Sequence, residues 1–212
     1  MMKYPRFLPC LLAATAAVMS SGCGATQPAR LYVLRTPDPI PVRAIHHEHL
    51  QGAQIAVATV RIPKHLDRPS IVTQAGHYEL AHSEFQRWGS PLSDNLTEVL
   101  TDSLTALLPG SLIWPKRGLS DIHSDYTVIV RVQSLTGRLG EEVSLVAHWS
   151  IVPHPTKVPA SLMNSRYNVS LTGSDYAAYS AGISGLVLEL ARDISGALEV
   201  PPPVLQRLEE TP

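Results

Sequence analysis

The sequence has few cysteines, few charged side chains and few aromatic ones. Two of its 212 residues are cysteine, charged residues make up 17% and aromatic residues 6%, and the net charge is −1. It has no basic run and no interleaving of basic with aromatic residues, which argues against a nucleic-acid-binding surface. With so few charges, recognition of a partner would have to rely mainly on shape and apolar contact.

The N-terminal segment has the parts of a secretory signal. Two basic residues, Lys3 and Arg6, precede an apolar stretch at 7–19 that is short for a membrane span, and small residues follow it. This order is typical of a signal peptide that is removed on export. Removal would take Cys10 with it and leave Cys23 as the one cysteine of the mature chain, which then could not form an internal disulfide.

The small residues directly before Cys23 resemble the bacterial lipobox, in which the thiol is diacylated and the cysteine becomes the new N-terminus. Each buried acyl methylene contributes about 0.8 kcal/mol, so several chains at one terminus anchor a protein firmly. Gly24 follows in place of aspartate, which by resemblance to the enterobacterial sorting rule favours the outer membrane. The alternative is an ordinary secreted protein with an unmodified Cys23. No later stretch is long and apolar enough for a transmembrane helix, so we expect an anchored chain and not a spanning one.

Composition divides the chain into four parts. We predict a lipoprotein-type signal peptide at 1–22, a lipidated tether at 23–30, one domain at 31–199 and a proline-rich polar tail at 200–212. The mature chain of about 190 residues is long enough to bury the core of a single domain.

Alternating apolar residues predict strands, and apolar residues at 3–4 spacing predict two helices. The strands are expected at 31–34, 54–62, 70–74, 77–81, 112–114, 125–135, 142–152 and 162–171. The first helix should begin with Ser90 as its N-cap and Pro91 in the first helical position, and the second should run from Asp175 to about Leu198. We therefore predict a single-domain α+β fold, a mostly antiparallel sheet with both amphipathic helices packed on one face.

Motifs for catalysis, cofactors and metals are missing from the sequence. The segment 46–49, His-His-Glu-His, lacks the H-E-x-x-H spacing that places two metal ligands on one side of a helix. There is no G-x-S-x-G elbow, no S-x-x-K motif and no phosphate-binding glycine loop. A triad of non-adjacent residues would leave no such motif. We expect no enzyme activity, no cofactor and no metal.

Two arginine-containing stretches are the candidate functional residues. Asp67 and Arg68 join two predicted strands, and Arg87 and Trp88 lead into the first helix. Arginine has a rigid five-donor fork, and tryptophan combines a large apolar area with one N–H. Such residues beside turns hold a corner of the fold or contact a partner or lipid headgroup, and both interpretations stay open.

The order of these motifs resembles the ABC-type transport auxiliary lipoproteins of the PqiC (YmbA) type. The matching pieces are Leu-Tyr-Val-Leu at 31–34, Pro-x-x-Leu-Asp-Arg-Pro-x-Ile-Val at 63–72, Glu-x-x-Arg-Trp-x-x-Pro-Leu at 84–92, Leu-Leu-Pro at 107–109 and Asp-Tyr at 125–126 with the strand after it. The likeness extends over about residues 31–198. The linker around 46–49 and the region 157–161 depart from the pattern.

The resemblance implies a non-enzymatic lipoprotein that faces the periplasm from the outer membrane. Its expected partners are an MCE-domain protein that bridges the envelope and an inner-membrane transporter component, in a system that moves lipids and maintains membrane integrity. A homo-oligomer is compatible with that role, and a nucleic-acid partner is not implied. The alternative is a lipoprotein that itself binds a lipid or small apolar ligand as a periplasmic shuttle.

Overall fold

A computed structural model describes residues 27–38, 50–117, 122–155 and 162–198. Cys23, the signal peptide, the 46–49 cluster and the C-terminal tail lie outside these ranges. The elements in chain order are β1 Arg30–Tyr32, β2 Gln54–Val57, a 3-10 turn at Lys64–Leu66, β3 Ser70–Gln74, β4 Leu80–Trp88, α1 Leu92–Leu107, β5 Leu112–Pro115, β6 Tyr126–Gly137, β7 Glu142–Pro153, β8 Met163–Ser170 and α2 Tyr176–Leu198.

The larger sheet has five strands in the order β5-β2-β6-β7-β8. Its long strands β6 and β7 pair antiparallel, in agreement with the predicted mostly antiparallel sheet, and β8 pairs antiparallel with β7. In β6, Val128, Val130 and Val132 are buried while Ile129 and Arg131 are exposed. One face of the sheet therefore lies against the core and the other faces solvent.

The smaller sheet has three strands in the order β1-β4-β3. Strands β3 and β4 form a hairpin, and β1 runs parallel to β4 with Arg30 beside Gln86 and Tyr32 beside Trp88. Strand β4 is longer than the sequence predicts, since it continues to Trp88. The chain thus contains two sheets where one was expected.

The α+β class is confirmed, and the sheets are mixed because β1 with β4, β2 with β5 and β2 with β6 are parallel pairs. These pairs join strands that are separated by long connections. Local alternation predicts that a strand exists, but it carries no information on the direction of a distant neighbour. The predicted strand 54–62 is shorter in the structure, where β2 ends at Val57. Residues Ile55–Val57 pair with both β5 and β6, and Arg61 adds an isolated bridge to Arg131.

Both helices pack on the buried face of the larger sheet and against each other. Helix α2 lies over β7 and β8, while α1 lies over β2 and β5. The sequence places the first helix correctly after the Gly-Ser-Pro break, but Pro91 and not Ser90 occupies its N-cap position, and no side chain caps it. The Ser90 carbonyl instead accepts a 2.9 Å hydrogen bond from the side-chain amide of Asn95.

The start of α2 follows the sequence more closely. The Asp175 carboxylate accepts a 2.7 Å hydrogen bond from the backbone N–H of Ala178, which satisfies one of the free donors of the first turn. Further along, Gly182 lets the helix approach the sheet closely, since a Cβ there would lie 2.8 Å from Val143 and 2.6 Å from Leu171. Within the described ranges, neither helix is long and apolar enough to cross a membrane.

Candidate docking cleft

The two predicted arginine-containing stretches meet at the base of the β3–β4 hairpin. The backbone N–H of Trp88 donates a 2.8 Å hydrogen bond to the Pro69 carbonyl, and the N–H of Gly89 donates one of 2.7 Å to the Tyr32 carbonyl. These bonds fix the end of β4 to the segment before β3 and to β1. An open cleft of about 260 Å³ lies at this junction and is lined by Asp67, Arg68, Pro69, Trp88, Ser90 and Pro91.

Asp67 and Arg68 are held in place by their backbone and not by their side chains. Their N–H groups donate to the carbonyls of Lys64 and Leu66, at 3.2 and 2.9 Å, as the 3-10 turn ends. Both side chains are exposed, and within the described ranges neither is found in a hydrogen bond or ion pair. The turn therefore presents one anion and one cation side by side at the rim of the cleft.

Trp88 forms the apolar part of the cleft and also belongs to the core. Its side chain is 6% exposed. Beneath it lies a void of about 10 Å³ that it shares with core residues including Leu66, Leu92 and Ile183. Both interpretations of Trp88 therefore have support in the geometry, since it holds the corner and also lines the cleft.

Arg87 lies outside the cleft lining. Successive residues of a strand point to opposite faces, so Arg87 is exposed while Trp88 is buried. The Arg87 Nε–H donates a 2.8 Å hydrogen bond to the Glu84 carbonyl on the same strand. Of the four residues singled out from the sequence, the structure thus brings three together and leaves Arg87 on the opposite face.

Pro69, Ser90 and Pro91 complete the cleft but were not proposed as site residues. The sequence feature that could have identified them is their position directly beside the two arginine-containing stretches. The chemistry of the cleft is limited, because its lining offers one carboxylate, one guanidinium and one hydroxyl, with no imidazole or thiol. Within the described ranges, no three metal-ligating side chains cluster either.

A second concave surface lies between β1 and the first turns of α2. It is an open groove of about 440 Å³ with an apolar lining that includes Leu31, Val33, Ala177 and Ala181. Leu31 is 68% exposed and Val33 47%. At the end of the groove, the buried hydroxyl of Thr36 has no hydrogen-bond partner within the described residues.

A family model described as the ABC-type transport auxiliary lipoprotein component matches residues 32–195. The chain belongs to this family. The match includes both arginine-containing stretches, all of α1 and α2 up to residue 195, so the cleft is built from residues inside the family region. The resemblance drawn from the order of motifs is thereby confirmed.

Solved structures share the fold of this auxiliary lipoprotein. One, described as an uncharacterized protein, has 18% identity and a TM-score of 0.61, covering 81% of this chain and 99% of its own. Another, protein XCC0632 from Xanthomonas campestris of the family DUF330, has 15% identity and a TM-score of 0.60, covering 85% and 98%. At these identities the likeness concerns the fold. A comparison with curated proteins found no match to the sequence.

Proposed function

We propose that this auxiliary lipoprotein is a docking component of an MCE-type intermembrane lipid transport system and has no enzyme activity of its own. In this proposal the lipid on Cys23 anchors it to the outer membrane, the domain faces the periplasm, and an MCE-domain protein that bridges the envelope binds it. An inner-membrane component completes the system. Family membership supports a transport-auxiliary role, and the sequence around Cys23 supports the anchor.

The docking part of this proposal rests on the two charged side chains at the cleft, which make no hydrogen bond or ion pair within the described residues. Asp67 and Arg68 are exposed beside the buried ring of Trp88. Charged side chains without an intramolecular partner can pair with a binding partner and lose no internal contact when they do so. Arginine and tryptophan are also the residue types that most often dominate binding energy at interfaces.

Charge reversal at the cleft tests this part. Arg68→Glu should leave the melting temperature nearly unchanged, because the side chain is exposed, and should greatly reduce co-purification of the MCE protein from solubilised envelopes. The matched control is Arg166→Glu on the exposed face of β8, which should keep the association. Equal co-purification by both variants would move the docking surface away from the cleft.

The transporter assignment and the anchor have separate tests. If the unaltered chain co-purifies with no MCE-domain protein, the transporter assignment fails whatever the cleft does. Cys23→Ala should release the chain into the soluble periplasmic fraction, and retention in membranes would refute anchoring at that thiol.

The groove along β1 favours a second candidate function, binding of an apolar ligand. Its exposed Leu31 and Val33 face small residues of α2, and such a concave apolar surface is typical of ligand sites. Native mass spectrometry of the purified chain should then detect a bound lipid that is lost when Ala181→Trp fills the groove. A ligand-free wild-type chain would leave docking as the single proposal.

A further inference from the structure

The β3–β4 hairpin ends in a turn that presents a large aromatic side chain to solvent. The Glu79 carbonyl accepts hydrogen bonds from the N–H groups of Ala75 and Gly76, at 3.0 and 3.2 Å, which close the turn. Tyr78 at its apex is 97% exposed, and its ring stands edge-on to that of His77 with centroids 4.5 Å apart. The apex is thus an ordered turn with an uncovered aromatic ring.

The strand next to this turn is uncovered on both faces. Leu80, Ala81 and His82 are consecutive and all exposed, although successive residues of a strand point to opposite faces. Leu80 is 48% exposed. Between Gln74 and His82 the sequence has one formal charge, at Glu79. An exposed tyrosine and leucine with little charge around them are suited to the boundary of a lipid bilayer, where tyrosine is enriched.

The direction of β1 shows that the chain enters the domain from the same side as this tip. Strand β1 is parallel to β4, with Arg30 beside Gln86. Residues that precede Arg30 therefore leave the sheet in the direction of lower β4 numbers, toward Leu80 and Tyr78. The chain approaches the domain from the side on which the hairpin projects.

The reach of the tether is close to the length of that projection. Cys23 is seven residues before Arg30, so the extended tether spans at most about 25 Å. Leu80 is six residues before Gln86, the partner of Arg30, so the hairpin projects about 20 Å past Arg30 before its turn begins. These two lengths are similar. If a lipid on Cys23 anchors the domain and the tether is extended, the hairpin turn therefore lies at the level of the membrane surface.

We propose that the hairpin tip, with Tyr78 and Leu80, is a second membrane contact that fixes the orientation of the anchored domain. The inference rests on the proposed lipid anchor at Cys23. The contact orients the hairpin roughly perpendicular to the bilayer. Trp88 and the docking cleft, at the other end of β4, then lie about 27 Å from the membrane surface. The cleft is then turned toward the periplasm, where an envelope-bridging partner approaches.

Site-specific photocrosslinking in intact cells tests this contact. The photoreactive residue p-benzoylphenylalanine is placed at Tyr78 in the full-length chain, and the irradiated protein is analysed by mass spectrometry. We expect a phospholipid adduct on the hairpin peptide. The control carries the same residue at Glu84, which is exposed on the same strand but nearer its base, and should give several-fold less lipid adduct.

The remaining outcomes separate this inference from the anchor. In a chain that fractionates with membranes, a protein adduct at position 78, no adduct, or equal lipid adducts at positions 78 and 84 would overturn the membrane contact. If the chain is instead soluble in the periplasm, the anchor proposal fails. The purified mature chain is then coupled through its Cys23 thiol to a maleimide lipid in phosphatidylethanolamine–phosphatidylglycerol vesicles. Lipid adduct at 78 there supports the contact, and its absence overturns it.

Discussion

The backbone N–H of Trp88 lies 2.8 Å from the carbonyl oxygen of Pro69 and donates a hydrogen bond to it. The last residue of β4 is thereby fixed to the residue just before β3, which closes the hairpin at its base. The cleft is lined by residues of both segments. Its shape therefore depends on the packing of Trp88, and its polarity depends on the charges of Asp67 and Arg68 at its rim.

Replacing Trp88 by alanine should lower the free energy of unfolding by about 3–5 kcal/mol, because removal of a large buried ring leaves a cavity. Urea denaturation of the mature chain measures the change. The matched control is Arg87→Ala, an exposed neighbour that should change stability by no more than about 0.5 kcal/mol. An unchanged midpoint for Trp88→Ala together with lost partner binding would assign Trp88 to docking and remove its structural role.

Replacing Thr97 by valine should cost about 1–3 kcal/mol, since it leaves a buried donor without its acceptor. The Thr97 hydroxyl oxygen accepts a 2.9 Å hydrogen bond from the backbone N–H of Val60, and Thr97 is fully buried. Thr101→Val is the control, because the Thr101 hydroxyl donates to the Thr97 carbonyl inside the same helix and, among the described residues, accepts from no group outside it. Chemical denaturation should show the larger loss at Thr97, and equal losses would mean that the bond to Val60 contributes nothing.

Two glycines of α2 should respond to alanine with opposite signs. A Cβ at Gly182 would lie 2.8 Å from the buried Val143 side chain, whereas a Cβ at Gly185 would meet nothing within 4 Å. We expect Gly182→Ala to destabilise by about 1–3 kcal/mol through overpacking and Gly185→Ala to stabilise by about 0.5–1 kcal/mol through helix propensity. Thermal unfolding compares the two. A gain in stability at Gly182 would show that the sheet can move away from the helix without loss.

The unfolding free energy should fall at alkaline pH, and Tyr179→Phe should reduce that fall. Burial, with a further contribution from Tyr176, raises the pKa of Tyr179, so the folded chain keeps a proton that the unfolded chain releases near pH 10. The stability that this group contributes is therefore complete below about pH 10 and declines as the pH rises toward the folded-state pKa.

Urea titrations at a series of pH values from about 9 to 11 measure this decline. Part of it should persist in Tyr179→Phe, because burial also raises the pKa of Tyr126 and of Tyr167. Near neutral pH the variant should lose roughly 1 kcal/mol, since the Tyr179 hydroxyl donates a 3.3 Å hydrogen bond to the Val72 carbonyl. Parallel curves for the two proteins would refute the assignment to Tyr179.

The elements predicted well from the sequence are those whose signal is local. Strand β3 at Ser70–Gln74 agrees with its predicted bounds, and α2 begins beside Asp175 and continues to Leu198, as the capping side chain and the apolar spacing indicate. The N-cap of α1 was wrong because Ser90 and Pro91 both fit a helix start, and the choice depends on Asn95, which holds the Ser90 carbonyl.

For the cleft, the sequence identified Asp67, Arg68 and Trp88 as residues beside turns that hold a corner of the fold or contact a partner, but it could not show that they converge. Their meeting depends on the Trp88–Pro69 hydrogen bond and on the pairing of β4 with both β1 and β3. Arg87 looked equivalent to Trp88 in the sequence. The pleat of the strand separates the two, since neighbouring side chains point to opposite faces.

The sequence by itself determined the family, the α+β class, the two helices and most of the strands, because these follow from the order of motifs and from short-range periodicity. Only the tertiary structure decided that there are two sheets, that both are mixed, that β1 runs parallel to β4, and that the chain therefore enters β1 from the side on which the β3–β4 hairpin projects. Parallel pairing joins segments that are distant along the chain. Its direction is set by how the segments pack and not by their local composition.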